Sequence, residues 1–277
     1  MSHNFGLKGG VHLESRSKQD GLTYLSNQRF SPPVHLSKPY FDEESGSLLV
    51  NLSCPTAGLL SGDHMICDIK LYQSSSMVLT TPGATRSHTM RKGVAKVKQS
   101  FRVNDQSFLE FNPGALILQG STNLEQTTSV EVSESAEILY VEKILPGRIA
   151  HGESFQFKKF SNHLRIRKNK KIAILESFSL DPSNDSVHAW RNAFPSPFYG
   201  CFYILSSKLK NDLPNRQKIH DLKSNNLLVG SSKIHGSVGW VVKLLAGDPF
   251  EFRKAMKTIR ELLYYDLGRI PTAFRRY

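Results

Sequence analysis

What most constrains this chain is how short its apolar runs are and how regularly turn residues cut them. Runs at 48–52, 77–79, 115–118, 138–141 and 202–205 are of strand length, and Gly, Pro, Asn, Asp or Ser stands close to nearly all of them. Period-two alternation appears at 94–103, 130–132 and 163–167. It is imperfect at 66–71, where Ile66, Ile69 and Leu71 are apolar. No strand–helix–strand rhythm runs through the chain, so a mainly β fold is expected. Three strands run into a Pro-Gly pair, at Pro82-Gly83, Pro113-Gly114 and Pro146-Gly147. The second pair follows the first by 31 residues, and the third follows the second by 33. Pro presets the first turn residue and Gly supplies a positive φ at the next, so type II turns are expected. Even spacing fits stacked, β-helix-like coils, each burying its apolar face on a neighbour. It fits chance spacing of common turns equally well, because the intervening residues are not alike.

The C-terminal region follows another rule. Asp248-Pro249-Phe250-Glu251 predicts a helix start: Asp caps free amides, Pro suits the first helical position, and Glu falls in the first turn. Phe252, Met256, Ile259, Leu263 and Leu267 then recur at helical spacing, and Gly268 and Pro271 end the run. The stripe is expected to pack on the sheet, with a partner-binding face as the other reading. The polar segment 207–226 carries Lys208, Lys210, Lys218 and Lys223, and holds either a short helix after Pro214 or a loop.

With 39% hydrophobic residues over 277 positions, one sizeable core can form. No clean boundary divides the chain, so a single domain over 1–277 is expected. The net charge of +12 suits an acidic partner, either a protein surface or nucleic acid, or serves general solubility. The basic residues are dispersed apart from the run Arg165, Arg167, Lys168, Lys170, Lys171, and no nucleic-acid-binding motif accompanies them. A basic, β-rich nucleic-acid-binding module therefore stands as the alternative function. Cys54, Cys67 and Cys201 form no C-x-x-C pair, and an odd count argues against a disulfide framework. A reducing, cytoplasmic setting is expected. Residues 1–10 lack the apolar stretch of a signal peptide, and the run 239–245 is too short to span a bilayer.

The chain has no P-loop, no G-x-S-x-G elbow and no H-E-x-x-H, and its ten histidines are scattered. It is read as a non-enzyme. A carboxylate pair such as Asp63 and Glu176 is the only catalytic arrangement worth weighing. What stands out is Cys54-Pro55-Thr56-Ala57-Gly58-Leu59-Leu60-Ser61-Gly62-Asp63, a turn-forming loop with a terminal acid. Such a loop can aim the Asp63 carboxylate inward, or Asp63 can bond to its own backbone as a turn cap.

Residues 55–63 resemble the signature of the UreD/UreH family of urease accessory proteins, which reads approximately N-P-T-G-G-L-x-G-G-D. Further blocks follow in the family's order: Thr80-Thr81-Pro82-Gly83-Ala84-Thr85-Arg86, then Leu109-Glu110-Phe111-Asn112-Pro113, then Gly147-Arg148-Ile149-Ala150-His151-Gly152-Glu153. Together they cover 51–155 well, whereas 179–237 matches weakly. The C-terminal helix, with Leu267-Gly268-Arg269 and a basic-aromatic end, also looks familiar. Ala57 and Ser61 stand where the family usually has Gly, and His64 where it commonly has Arg. His64 loses a fixed charge and adds a metal-binding imidazole.

The resemblance implies a largely β fold of stacked strands and a non-catalytic scaffold for urease maturation. It implies binding to a UreF-like protein, through it to a UreG-like GTPase, and docking on the urease apoprotein. No tightly bound cofactor is implied; nickel(II) is cargo in transit through an internal passage. Such a passage must bind the ion strongly enough to admit it and weakly enough to release it. Carboxylates bind nickel(II) more weakly than nitrogen and sulfur ligands do, so isolated acids on inward strand positions are the candidates. Asp63 comes first by matched position, Glu142 and Glu176 second, and Glu153 third. For the last three, a solvated or Arg-paired glutamate is the competing reading, and Arg148 has the planar fork to pair with Glu153 or Glu142. Gly58, Gly62, Thr85, Arg86, Gly147, Arg148 and Gly152 are read as structural members of the motifs.

Overall fold

The computed structural model describes residues 6–54 and 58–274. Chain order reveals the architecture. β1 (Lys8–Ser17) and β2 (Thr23–Ser31) form an antiparallel pair, followed by the short β3 (His35–Leu36) and β4 (Tyr40–Asp42), then β5 (Ser47–Ser53). Three coils come next. In the first, β6 (His64–Leu71) turns into β7 (Ser76–Thr80) and then β8 (Thr85–Ser87). The second repeats this with β9 (Ala95–Val103), β10 (Phe108–Asn112) and β11 (Leu116–Leu118). The third has β12 (Asn123–Val132) and β13 (Glu137–Leu145). The remainder is β14 (Lys159–Lys168), β15 (Lys171–Leu180), α1 (His188–Ala193), β16 (Phe198–Leu205), α2 (Arg216–His220), β17 (Leu227–Lys233), β18 (Gly239–Ala246) and α3 (Pro249–Leu267).

Two sheets result. The first runs β15-β14-β12-β9-β6-β1-β2, and its five strands from β14 to β1 are mutually parallel. The second runs β17-β18-β16-β13-β10-β7-β5-β3, parallel from β13 to β5 and antiparallel from β13 through β16 and β18 to β17. Parallel neighbours at the coil period are what a β-solenoid requires, because each coil passes once through each sheet. The fold is therefore mainly β with stacked coils and one long C-terminal helix.

Alternation decides which face is buried. Met65, Cys67, Ile69 and Leu71 face the interlayer core from β6, and Leu109 and Phe111 face it from β10. Ile66 points outward and is exposed, so the alternation in this strand runs through the odd residues, not through Ile66. Between the sheets lies one core; a second forms where α3 and α2 cover the outer face of β10, β13, β16 and β18.

The Pro-Gly pairs follow β7, β10 and β13 as expected, but none of their glycines takes up a left-handed backbone. Type II turns are absent there. At Gly114 the need for Gly is close stacking on the preceding coil, and at Gly147 it is the tight return of its own loop. A Cβ on Gly114 would fall 2.0 Å from the Gly83 carbonyl oxygen, and one on Gly147 would fall 2.2 Å from the Glu153 carbonyl oxygen. Helix α3 forms as read: the Asp248 carboxylate accepts the amides of Phe250 and Glu251, each at 2.8 Å, and Gly268 closes the helix in the left-handed region. In the polar 207–226 segment a short helix, α2, does follow Pro214.

Candidate functional site

The four sequence blocks that stand far apart in the chain meet at one edge of the coils. The Leu59 amide donates to the Arg86 carbonyl at 2.8 Å, and a Cβ on Gly58, whose φ is 133°, would fall 2.1 Å from that same oxygen. Thr85 in β8 donates its amide to Ala115 at 2.9 Å, and Gly114 donates to the Thr81 hydroxyl at 2.7 Å. The Glu153 carboxylate accepts the Gly120 amide at 2.8 Å and the Arg148 amide at 3.2 Å. It also holds Arg148 through Nε at 2.7 Å. Arg148 therefore pairs with Glu153, and the hydrogen bond from its guanidinium pulls the Glu153 carboxyl down to about 2. Gly152 supplies a left-handed residue, φ 70°, that closes the 3-10 turn between the two partners.

Asp63 sits where this edge meets the start of β6. It is buried, and both carboxylate oxygens are engaged: Oδ1 accepts the Leu7 amide at 2.9 Å and Oδ2 the Leu60 amide at 2.7 Å. Gly62, with φ 83°, allows the turn that brings the carboxylate back onto Leu60. Ser61 keeps an ordinary negative φ and hydrogen-bonds the Lys92 carbonyl. Pro55, Thr56 and Ala57 of the first block, and the final basic-aromatic residues 275–277, lie outside the described residues.

The first three blocks border a cavity of about 430 Å³ between the two sheets, whereas Asp63 and residues 147–153 are not part of its lining. Residues of the 81–86 turn, with Gly58 and Gly114, line it at the rim; Cys67, Gln99 and Gln126 line it from the first sheet; and Phe111, Tyr140 and Glu142 line it from the second. Polar side chains in an otherwise apolar interlayer must find partners. The Tyr140 hydroxyl lies 3.1 Å from Gln99 Oε1, and Thr128 donates to the same oxygen at 3.0 Å. Gln126 donates to Asn162 Oδ1 at 3.3 Å, and Asn162 Nδ2 donates to Glu142 Oε1 at 3.1 Å.

Glu142 fails to find a full set: its Oε2 is buried with no hydrogen-bond partner, as are the hydroxyls of Tyr199, Ser15 and Ser87. Burial pushes its carboxyl up to about 7, with the Glu176 carboxylate adding to the rise and the Asn162 bond and the Lys243 ammonium opposing it. Glu176, on β15, lies outside the cavity lining. Its Oε1 takes the Lys243 ammonium at 2.6 Å and its Oε2 the Tyr203 hydroxyl at 2.9 Å. Of the four acids read from the sequence, the structure thus brings Glu142 and Glu176 into one electrostatic cluster and places Asp63 and Glu153 on backbone amides outside the cavity lining. Lys243, Tyr203, Asn162 and Tyr140 were missed. Lys243 was visible as the lone charge inside the apolar stretch 239–245.

Among the described residues no group of three or more His, Cys, Asp or Glu side chains is placed to hold a metal ion. No described helix is long and apolar enough to cross a membrane.

Comparison with known proteins identifies the family. A family model described as UreD urease accessory protein matches residues 8–276. A urease accessory protein UreD of Opitutus terrae is 32% identical over 92% of this chain and 93% of its own length. One from Acetivibrio thermocellus is 22% identical over 95% of this chain and its full length. A urease accessory protein UreH of Helicobacter hepaticus is 26% identical over 87% of this chain and 93% of its own. The chain belongs to the UreD family of urease accessory proteins.

Proposed function

We propose that this chain works in urease maturation as a non-catalytic cytoplasmic scaffold. It binds a UreF-like protein and through it a UreG-like GTPase, docks on the urease apoprotein, and passes nickel(II) through the interlayer cavity. The observation that carries this reading is a carboxylate on the cavity wall with one buried oxygen left without a partner. An acid is costly to bury unless it is paired, hydrated or metal-bound. Oxygen donors of this kind hold nickel(II) weakly, which suits an ion that must leave again. In this reading Glu142 is the acid of the path, Glu176 its neighbour at the open side, and the Asp63 and Glu153 clusters hold their own loops in shape.

The test is co-expression with UreF-like and UreG-like partners and urease, followed by a pull-down and nickel analysis of the urease. Glu142→Ala is expected to leave the complex assembled and lower nickel per urease. Absence of a UreF-like partner from the pull-down overturns the scaffold role. Full nickel loading by Glu142→Ala overturns the path.

A further inference from the structure

Two of the ion pairs on the second sheet are built differently. Arg260 and Glu110 meet with both guanidinium and carboxylate buried, through a bidentate contact at 2.6 and 2.7 Å. Lys243 and Glu176 meet through a single contact, and the Lys243 side chain is 46% exposed. The first pair is a fixed clamp. A single contact made by a flexible, half-solvated lysine contributes little and is easily given up.

Register puts this weak pair beside the unpartnered acid. Glu142 on β13 faces Cys201 on β16, and Cys201 faces Lys243 on β18, so the three side chains stand in one row across the sheet. The row looks toward the first sheet, from which Glu176 arrives. Glu142 lines the cavity, whereas Glu176 and Lys243 reach solvent. The cluster therefore lies between cavity and bulk water.

One ammonium stands beside two carboxyl groups, and it bonds only Glu176, whose two oxygens are engaged by Lys243 and Tyr203. Glu142 Oε2 receives nothing. A dication would neutralise both acids, and the lysine would then have no role there. Its stem can swing to water without opening a hole, because it is already half exposed. Cys201 does not make the site a thiolate trap, since burial pushes its thiol well above the ordinary range and keeps it neutral.

We propose that Glu142 and Glu176 form a divalent-cation exchange site in which the Lys243 ammonium is the resident counter-cation, displaced when a metal ion enters. This rests on the reading of the interlayer as a cation path, and it adds the element that keeps the path closed to monovalent ions. A monovalent ion gains nothing over the tethered ammonium; a divalent ion gains a second carboxylate.

The experiment is equilibrium dialysis of the full chain against nickel(II), at fixed pH and ionic strength, with circular dichroism to confirm folding. Lys243→Met removes the competitor and is expected to tighten nickel(II) binding by about three- to tenfold. Adding Glu142→Gln to that variant is expected to return binding to the wild-type level or below. Unchanged or weaker binding by a folded Lys243→Met overturns the exchange site and makes the pair a structural clasp. The two readings fail separately. Tighter binding by Lys243→Met with normal urease loading by Glu142→Ala keeps the exchange site and removes the path. Reduced loading by Glu142→Ala with unchanged binding by Lys243→Met does the reverse.

Discussion

Arg260 of helix α3 holds Glu110 of strand β10 by two hydrogen bonds, Nε to Oε1 at 2.6 Å and Nη2 to Oε2 at 2.7 Å, with neither side chain open to water. Tyr264, one turn on, donates its hydroxyl to the same carboxylate at 2.5 Å, and Arg260 also reaches the Thr272 carbonyl at 3.0 Å. The acid of the Leu-Glu-Phe-Asn-Pro block is thus a clamp that fixes the C-terminal helix and the segment after it onto the coils. Asn112 of the same block donates to Glu110 at 2.8 Å, so the carboxylate's bonding capacity is filled.

Breaking one side of such a pair leaves a buried charge uncompensated. Glu110→Gln and Arg260→Met are each expected to cost about 3–5 kcal/mol in urea unfolding. The double replacement Glu110→Leu with Arg260→Met should recover most of that loss, because it removes both charges together. Equal losses for the double and single variants would show that packing of α3, not the charge pair, is what matters.

The stacked Pro-Gly edge makes a paired prediction. Gly114→Ala forces a Cβ into the Gly83 carbonyl, whereas a Cβ on Gly83 has nothing within 4 Å. Gly114→Ala is expected to destabilise by about 2 kcal/mol or more, and Gly83→Ala to stay within about 0.5 kcal/mol of the parent. Thermal unfolding of both variants checks this; similar shifts would mean the coils do not stack as closely as described.

Much of this fold could be read from residues alone, for identifiable reasons. Helix α3 announced itself because Asp248, Pro249 and Gly268 each do one local job that no tertiary contact overrides. The Pro-Gly rhythm located three coil corners, yet it gave the wrong turn, because the demand on Gly114 comes from the preceding coil and not from its own φ. The opposite corners were invisible. There Ser135 donates to the Asp105 carboxylate at 2.8 Å and Ser107 to the Tyr72 carbonyl at 2.7 Å, contacts between coils that common polar residues make without any motif. Strands β1 and β2 went unread because glycines and polar residues dilute their alternation. In the site, Glu142 was legible as an acid within an apolar strand, but its neighbours come from four other strands at long separation. Tyr203, Lys243 and Glu176 share a place only once both sheets exist.

Glu153 supplies a pH dependence with a definite sign. Its carboxyl lies at about 2 in the folded chain, below the ordinary value of 4.5, chiefly because Arg148 donates to it. The folded state therefore binds this proton less readily than the unfolded chain, and the stabilisation is complete above about pH 4.5 and fades as pH falls toward 2. Because Arg148 is half exposed, the contribution is expected to be only about 1 kcal/mol. Stability measured from pH 6 to 2.5 should show wild type ahead of Glu153→Gln at pH 6 and the gap closing below about pH 3. A gap that does not change with pH would point to lost packing at Gly120.

Asp63 is the acid that the family signature singles out, and its surroundings set two readings against each other. Oδ1 takes the Leu7 amide just before β1, and Oδ2 takes the Leu60 amide inside its own loop. The side chain pins the entry of the first strand to the loop that rims the cavity, and no oxygen is left facing the cavity wall. A simple turn cap would tolerate Asn, since Asn forms the same local turn. Here Asn can accept only one of the two amides and presents an NH2 group to the other, so Asp63→Asn is expected to cost about 1–2 kcal/mol. Asp63→Ala abandons both amides and is expected to cost about 2–4 kcal/mol. If pinning is its role, stability, yield of the complex with a UreF-like partner, and nickel per urease should fall together, with Ala below Asn. If Asp63 touches nickel in transit, Asp63→Asn should leave the complex assembled and still lower nickel per urease, since it removes the charge that attracts a dication. Complex yield and nickel content measured side by side on both variants separate the two, and nickel loss from a fully assembled Asp63→Asn complex would remove the pin as the sole explanation.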